Sequence, residues 1–271
     1  LTAPNQFASA GEHASDLALA IETARAAGDL LRSRQREILN VRHKGVVDLV
    51  TDADIASEKL VAEMLHSARP EDGLLAEEGT GEGVARSNGR CWIVDPLDGT
   101  TNYAHGYPLY AVSIALEVAG EVTVGVVYVP ALDEMFAAAA GGGAWLNEEP
   151  IGVSTAGSLI EAMLCTGFAY NPDIRPLNYP HFVEFVERSQ AVRRDGAAAL
   201  DLAYVACGRY DGYWERELAP WDLAAGALLV REAGGQLSGF HGQPADIRAR
   251  EIVATNGLLH EDMLEVLALN P

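Results

Sequence analysis

The stretch Trp92-Ile93-Val94-Asp95-Pro96-Leu97-Asp98-Gly99-Thr100-Thr101-Asn102 constrains this chain more than any other. It begins as a short apolar run of β-favouring residues and halts at a carboxylate, as a buried strand does at the edge of a sheet. Pro96 has no N–H and a fixed φ, so the chain is expected to leave the sheet there. Asp98 follows shortly after, and Gly99 permits a tight backbone turn. Thr100 and Thr101 are placed to cap a following helix, whose free N–H groups favour an anion. Two carboxylates beside such a helix start suit a site where Mg²⁺ bridges protein and phosphate. Asp-Pro and Asp-Gly are also ordinary turn dipeptides, so the stretch alone could simply end a strand and shape a loop.

Residues 15–39 read as an amphipathic helix, with Leu17, Ile21, Ala24, Gly28 and Leu31 at helical spacing and Ser15 available as a cap. Lys44 to Thr51 reads as extended and runs into Asp52-Ala53-Asp54, where a second helix begins. Negative charge in a first helical turn is stabilised by the dipole, so capping is the first reading of Asp54 and ligation the second. Leu74-Leu75-Ala76 ends at Glu77-Glu78, and Gly79 to Gly89 reads as a polar surface loop. Tyr110 to Glu117 and Val122 to Val129, joined at Ala119-Gly120, predict a long hairpin. Met135 to Ala140 and Ala144 to Leu146 predict another. From Met163 onward strands alternate with helices. Helices are expected at Pro180–Ser189, Gly196–Ala206, Trp221–Ala233 and Leu258–Leu267, and strands at Asp211–Glu215 and Ile252–Ala254. An antiparallel N-terminal half, 1–155, and an α/β C-terminal half, 156–271, are expected to form one compact unit.

Hydrophobic residues make up 49% of the 271 and charged residues 21%, which is globular and excludes a disordered chain. The net charge of -20, from 39 acidic and 19 basic residues, repels nucleic acid and anionic membranes. A phosphorylated small molecule stays compatible where cations sit in the site. Cys91, Cys165 and Cys207 are few, odd in number and set in apolar surroundings. They read as buried reduced thiols rather than a disulfide framework or a zinc site. No run reaches the ~18 apolar residues that span a bilayer. Leu1 to His13 lacks the basic-then-apolar order of a secretory signal, so a cytoplasmic protein is expected.

Asp54, Glu77, Asp95, Asp98 and Asp222 all fall at strand-to-turn or turn-to-helix boundaries, where side chains can converge on one rim. Asp222, after Pro220, also makes a good first-turn cap, and Ala224, Ala225 and Gly226 permit close helix packing. Carboxylates ~4 Å apart repel by roughly 4 kcal/mol at an effective dielectric near 20, so a convergent set needs cations. Oxygen-only ligands favour Mg²⁺ or Mn²⁺ over zinc. His105, in the aromatic stretch Tyr103 to Tyr110, reads as a packing or loop residue, with a phosphohistidine nucleophile as the alternative.

These segments resemble the inositol monophosphatase family over most of the chain. The matching residues are Asp48 to Asp54, Glu77-Glu78, Trp92 to Asn102, and Trp221 to Gly226 with Glu232-Ala233-Gly234-Gly235. The resemblance implies an α+β fold, a layered αβαβα sandwich, usually a homodimer, that hydrolyses phosphate monoesters with Mg²⁺ and is often inhibited by Li⁺. It implies that Glu77, Asp95 and the carbonyl of Leu97 hold one metal, and that Asp95, Asp98 and Asp222 hold a second. Glu77 would contribute to a third, weaker ion. Thr100 and Asp54 would orient or deprotonate the metal-bound water, with Glu77 also part of the catalytic set. The N–H groups of Gly99 and Thr100 would hold the phosphate. Gly196, Ala197, Ala198 and Glu215, together with Asp98, would contact the alcohol part of the substrate.

An inositol monophosphate is the expected ester, because the Asp48-Leu49-Val50-Thr51 form is closer to inositol phosphatases than to the nucleotide or histidinol groups. Histidinol-phosphate, fructose-1,6-bisphosphate and nucleotide 3′-phosphate phosphatases are the alternatives on the same fold. Arg193-Arg194 could serve a second phosphate or carboxylate, or stand as a solvated strand end. Ala169 to Pro180 does not match the family pattern. A regulatory, protein-binding role, known for some bacterial members, is the expectation from a different class.

Overall fold

The computed structural model describes residues 8–35, 41–43, 49–79 and 88–269. Asp48, the end of the expected helix 15–39 and most of the expected loop after Gly79 lie outside them.

The N-terminal elements are α1 (Ala14–Arg34), β1 (Val41–His43), β2 (Leu49–Thr51), α2 (Asp52–Ala68), β3 (Gly73–Ala76), β4 (Arg90–Asp98) and α3 (Thr100–Ala104). Two hairpins follow: β5 (Ala111–Val118) with β6 (Glu121–Val129), and β7 (Glu134–Ala139) with β8 (Gly143–Leu146), which ends on β9 (Glu149–Pro150). These strands form a seven-stranded sheet in the order β3-β4-β5-β6-β7-β8-β9, in which only the β3–β4 pair is parallel. The turn at Ala119 and Gly120 uses positive φ at both residues, as a tight hairpin requires.

The C-terminal elements are β10 (Met163–Thr166), α4 (Tyr179–Arg188), β11 (Ala191–Arg193), α5 (Ala198–Ala206), β12 (Gly212–Arg216), α6 (Pro220–Glu232), β13 (Gln236–Ser238), β14 (Glu251–Thr255) and α7 (His260–Ala268). Their strands form a second, mixed sheet in the order β11-β10-β12-β14-β13. The short strands β9, β11 and β13 lack the alternating apolar residues that would announce them, and sheet neighbours supply the order instead.

Period-two alternation decides the layering. Val112, Ile114 and Leu116 of β5, with Val124, Val126 and Tyr128 of β6, pack on Leu17, Ala20, Ala24, Ala27 and Leu31 of α1. The opposite face, with Ala111, Ala115, Val127 and Val129, packs on α5 and α6. Those two helices are covered in turn by Cys165, Tyr213, Ile252 and Ala254 of the second sheet. Leu164, Trp214 and Val253 point away from them and pack on Phe185 of α4 and Met263, Val266 and Leu267 of α7. The layers therefore run α1/α2, sheet, α5/α6, sheet, α4/α7: the αβαβα sandwich. Each large aliphatic side chain buried this way contributes on the order of 1.5–3 kcal/mol. α5 and α6 touch closely because Gly226 has no side chain: a Cβ there would lie 2.5 Å from that of Leu202. Among the described residues no helix is long and apolar enough to cross a membrane.

One expectation is corrected. The chain does not leave the sheet at Pro96, since β4 continues to Asp98. Asp95 pairs with Ser113 and Asp98 with Ala111, with a register shift between them. Pro96 occupies that bulge, where its missing N–H leaves no ladder partner unsatisfied.

Candidate active site

The bulge in β4 aims the site. Ser57 of α2 donates its hydroxyl to the Pro96 carbonyl at 2.8 Å, and the Leu97 N–H donates to Asp95 Oδ1 at 2.9 Å. Gly99 then turns the chain at φ 85°, and a Cβ there would sit 3.0 Å from the Leu109 carbonyl oxygen. Neither Thr100 nor Thr101 caps α3, contrary to expectation, because Gly99 is the N-cap. The Thr100 hydroxyl instead donates to Asp54 Oδ1 at 2.9 Å and lies 3.1 Å from the Leu97 carbonyl. Asp54 Oδ2 meanwhile accepts the Thr51 N–H at 2.8 Å as part of a capping box. The capping reading of Asp54 therefore holds: one oxygen caps α2, and the other accepts the Thr100 hydroxyl.

Glu77 leaves the end of β3 beside this bulge. Its N–H donates to the Val94 carbonyl at 3.3 Å, and the buried Glu58 carboxylate accepts the next N–H, that of Glu78, at 2.7 Å. Helix α5 approaches from the other half of the chain. The N–H groups of Ala198, Ala199 and Leu200 donate to the Asp98 carboxylate at 3.1, 2.9 and 3.3 Å, so Asp98 neutralises the positive end of that helix. Asp222 Oδ2 accepts the Ala219 N–H at 2.7 Å at the start of α6. Capping and convergence are thus the same arrangement seen twice.

Glu77, Asp95, Leu97, Asp98, Gly99, Thr100, Gly196, Ala197, Ala198, Glu215 and Asp222 all line one cavity of about 250 Å³. Asp54 is not among the lining residues and stands behind Thr100. Arg194 lines the cavity, whereas Arg193 does not. His105 is exposed at the end of α3 and away from the cavity, so its part is that of a loop residue. Phe168, Tyr170 and Trp221 also form the wall, a role that sequence patterning missed. Their only signal was position, at the ends of β10 and the start of α6.

Burial and crowding set the electrostatics. Burial first, then the charges of Glu77, Asp98 and Asp222, pushes the Asp95 carboxyl well above its usual range. Burial pushes Asp98 up to about 7 against the pull of the three α5 N–H groups. Asp222 is raised by burial and then by Asp98 and Glu77. Glu215 rises to about 7 by burial, while the Tyr213 hydroxyl, donating at 2.5 Å, and the Arg194 charge oppose the rise. Glu77, Asp95, Asp98 and Asp222 make a hard, oxygen-only donor set that repels itself and is relieved by a small divalent cation. The residues present therefore fit Mg²⁺ or Mn²⁺. They do not pack into a tight triad: among the described residues only Cys165, Asp195 and Asp201 bring three such donor atoms within 4.8 Å of one another.

Comparison with known proteins shows the family and the fold. The profile of the inositol monophosphatase family matches residues 13–269. A Synechocystis relative called inositol-1-monophosphatase is 46% identical over 94% of this chain and 89% of its own length. A Pseudomonas aeruginosa relative called Nus factor SuhB is 44% identical over 89% of this chain and 91% of its own. The solved structure of an inositol monophosphatase from Anabaena (Nostoc) superposes with a TM-score of 0.85 at 44% identity, covering 95% of this chain and 96% of that one. With nearly its whole length matched and its layers shared with a solved member, the chain belongs to the inositol monophosphatase family, a family of metal-dependent phosphatases.

Proposed function

We propose that this phosphatase hydrolyses an inositol monophosphate, inositol 1-phosphate first among them, with Mg²⁺ as its working cation. The observation that carries the reading is the convergence of Glu77, Asp95, Asp98 and Asp222 on one cavity that also holds Glu215 and Arg194. Glu77, Asp95 and the Leu97 carbonyl would hold one ion; Asp95, Asp98 and Asp222 would hold a second, with Asp95 shared. A third, weaker ion would fall to Glu77, and Mn²⁺ would substitute. Bound there, the cations supply positive charge to the phosphate and lower the pKa of water to near neutrality.

The chain's own groups do the rest. The Thr100 hydroxyl, held on Asp54 Oδ1, orients the attacking water and passes its proton towards that carboxylate. The N–H groups of Gly99 and Thr100 receive phosphate oxygens. Glu215, braced by Tyr213, accepts hydrogen bonds from ring hydroxyls, and Gly196, Ala197 and Ala198 line the alcohol's side. Because both halves, 1–155 and 156–271, contribute ligands, we treat them as one catalytic unit. The three cysteines are free thiols, which supports a cytoplasmic setting. Exposed Leu177, Val183 and Val186 support a homodimer, which light scattering would test.

Phosphate release from inositol 1-phosphate, histidinol phosphate, fructose 1,6-bisphosphate and a nucleotide 3′-phosphate, with and without Mg²⁺, tests the proposal. Fastest Mg²⁺-dependent turnover on inositol 1-phosphate is expected, and preference for another ester overturns the substrate assignment. A second reading, protein-binding regulation beside catalysis, draws on the relative named Nus factor SuhB. Net charge -20 directs it to a protein partner rather than nucleic acid. Partner capture undiminished in a variant without turnover would favour it.

A further inference from the structure

A second group of chemistry-bearing side chains lies outside the catalytic cavity. Cys165 stands on β10, Asp195 in the loop between β11 and α5, and Asp201 inside α5. Cys165 Sγ and one carboxylate oxygen from each aspartate lie within 4.8 Å of one another. Cys165 and Asp201 are fully buried, and Asp195 partly so. Neither oxygen of Asp201 has a hydrogen-bond partner outside the group, and the neighbour that faces it within the group is the Cys165 thiol. Asp195 Oδ2 accepts from the Tyr210 hydroxyl, while its backbone carbonyl accepts from Asn102 Nδ2 at 2.8 Å. None of the three lines the catalytic cavity.

We propose that Cys165, Asp195 and Asp201 form a separate binding site for one divalent transition cation of the zinc class. A thiolate with two carboxylates is a borderline donor set, poorly suited to Mg²⁺ and well suited to zinc. Tetrahedral zinc, with bonds of about 2.3 Å to sulfur and 2.0–2.2 Å to oxygen, places its donors roughly 3.3–3.6 Å apart. Side-chain rotations that close the group by about an ångström therefore suffice, and water takes the fourth position. Binding exchanges the cation for the thiol proton of Cys165 and the carboxyl proton of Asp201, both released to solvent, with no change of oxidation state. Burial, followed by the charges of Asp195, Glu215 and Asp98, already favours a proton on Asp201 in the metal-free protein. The bound cation would tie β10 to the loop carrying Arg194 and Gly196, and to the helix whose first N–H groups hold Asp98.

Cobalt(II) is the probe, because cysteine thiolate coordinated to it absorbs by charge transfer in the near ultraviolet whereas oxygen-only coordination does not. The full chain, stripped with chelator and kept reduced, is titrated with Co²⁺ alone. One equivalent of thiolate-bound cobalt is expected, retained in Asp222→Asn, lost in Cys165→Ser and bound at least tenfold more weakly in Asp201→Asn. A doubly substituted Cys91→Ser, Cys207→Ser chain retains Cys165 as its sole thiol and is expected to keep the band. Absence of the band in the folded wild type at saturating Co²⁺, or in that double variant, overturns the proposal. So does persistence of the band in Cys165→Ser.

Discussion

Asp95→Asn separates the chemistry of the site from the fold, because the two respond in opposite directions. The substitution keeps an oxygen able to accept the Leu97 N–H, now made at 2.9 Å, so the bulge is preserved. It removes a charge whose burial is aggravated by Glu77, Asp98 and Asp222. One such neighbour at ~4 Å contributes roughly 4 kcal/mol of repulsion at an effective dielectric near 20, and protonation and water relieve much of this. A net gain on the order of 2 kcal/mol for the metal-free variant follows, or about 4–8 °C in Tm at 2–4 °C per kcal/mol. The sign with pH is defined. The Asp95 carboxyl is raised in the fold, so wild-type stability from this group is complete below its unfolded pKa and is lost as pH rises through the folded one. The variant's advantage should therefore grow from pH 4 to pH 8 in chelator. With Mg²⁺ the order reverses: wild type gains stability and turnover, and the variant loses at least 10³-fold in phosphate release. Thermal melts across pH with and without Mg²⁺, beside the phosphate assay, read all of this. A lower metal-free Tm for Asp95→Asn, or turnover equal to wild type, would refute the reasoning.

Asp98→Asn should cost stability at low pH, because an amide nitrogen must face an N–H group of α5: at pH 4 we expect a loss of about 1–3 kcal/mol in denaturant unfolding. That loss should shrink as pH rises through about 7, because burial raises the Asp98 carboxyl in the fold and the wild type loses stability as that group ionises. Mg²⁺ uptake should release protons near pH 7 and fewer at pH 8.5, measured by calorimetry in buffers of differing ionisation enthalpy, since Asp98 titrates at about 7 without metal. Thr100→Val removes the hydroxyl held on Asp54 Oδ1 and should lower kcat 10²-fold or more while leaving KM within about threefold. Gly167→Ala would place a Cβ 2.0 Å from the Glu215 carboxylate, and the displaced glutamate should raise KM for inositol 1-phosphate more than it lowers kcat.

The fold was largely legible because its long elements announce themselves by period. Strands β5 and β6 alternate, α1 repeats at helical spacing, and the Gly234 turn closes α6, so the bounds of β5, β6 and α6 and the start of α1 agree with expectation to within a few residues. The strands β9, β11 and β13 were not legible, since a two- or three-residue strand carries too few side chains to show a period. Pro96 was misread for a similar reason: proline's effect depends on whether the backbone position needs its N–H, and a bulge does not.

At the site, amino-acid type and order marked the carboxylates as candidates, because Asp54, Glu77, Asp95, Asp98 and Asp222 recur at strand and helix boundaries in the order the family resemblance implies. Only the tertiary structure decided what each one touches. Asp98 meets the N–H groups of a helix one hundred residues further along, Asp54 reaches the cavity only through Thr100, and Cys165 faces two aspartates from distant segments. Period and propensity are local properties of the chain, whereas charge, hydrogen bonding and ligation act through space. Which carboxylate is paired and which is crowded is therefore settled by how the layers stack.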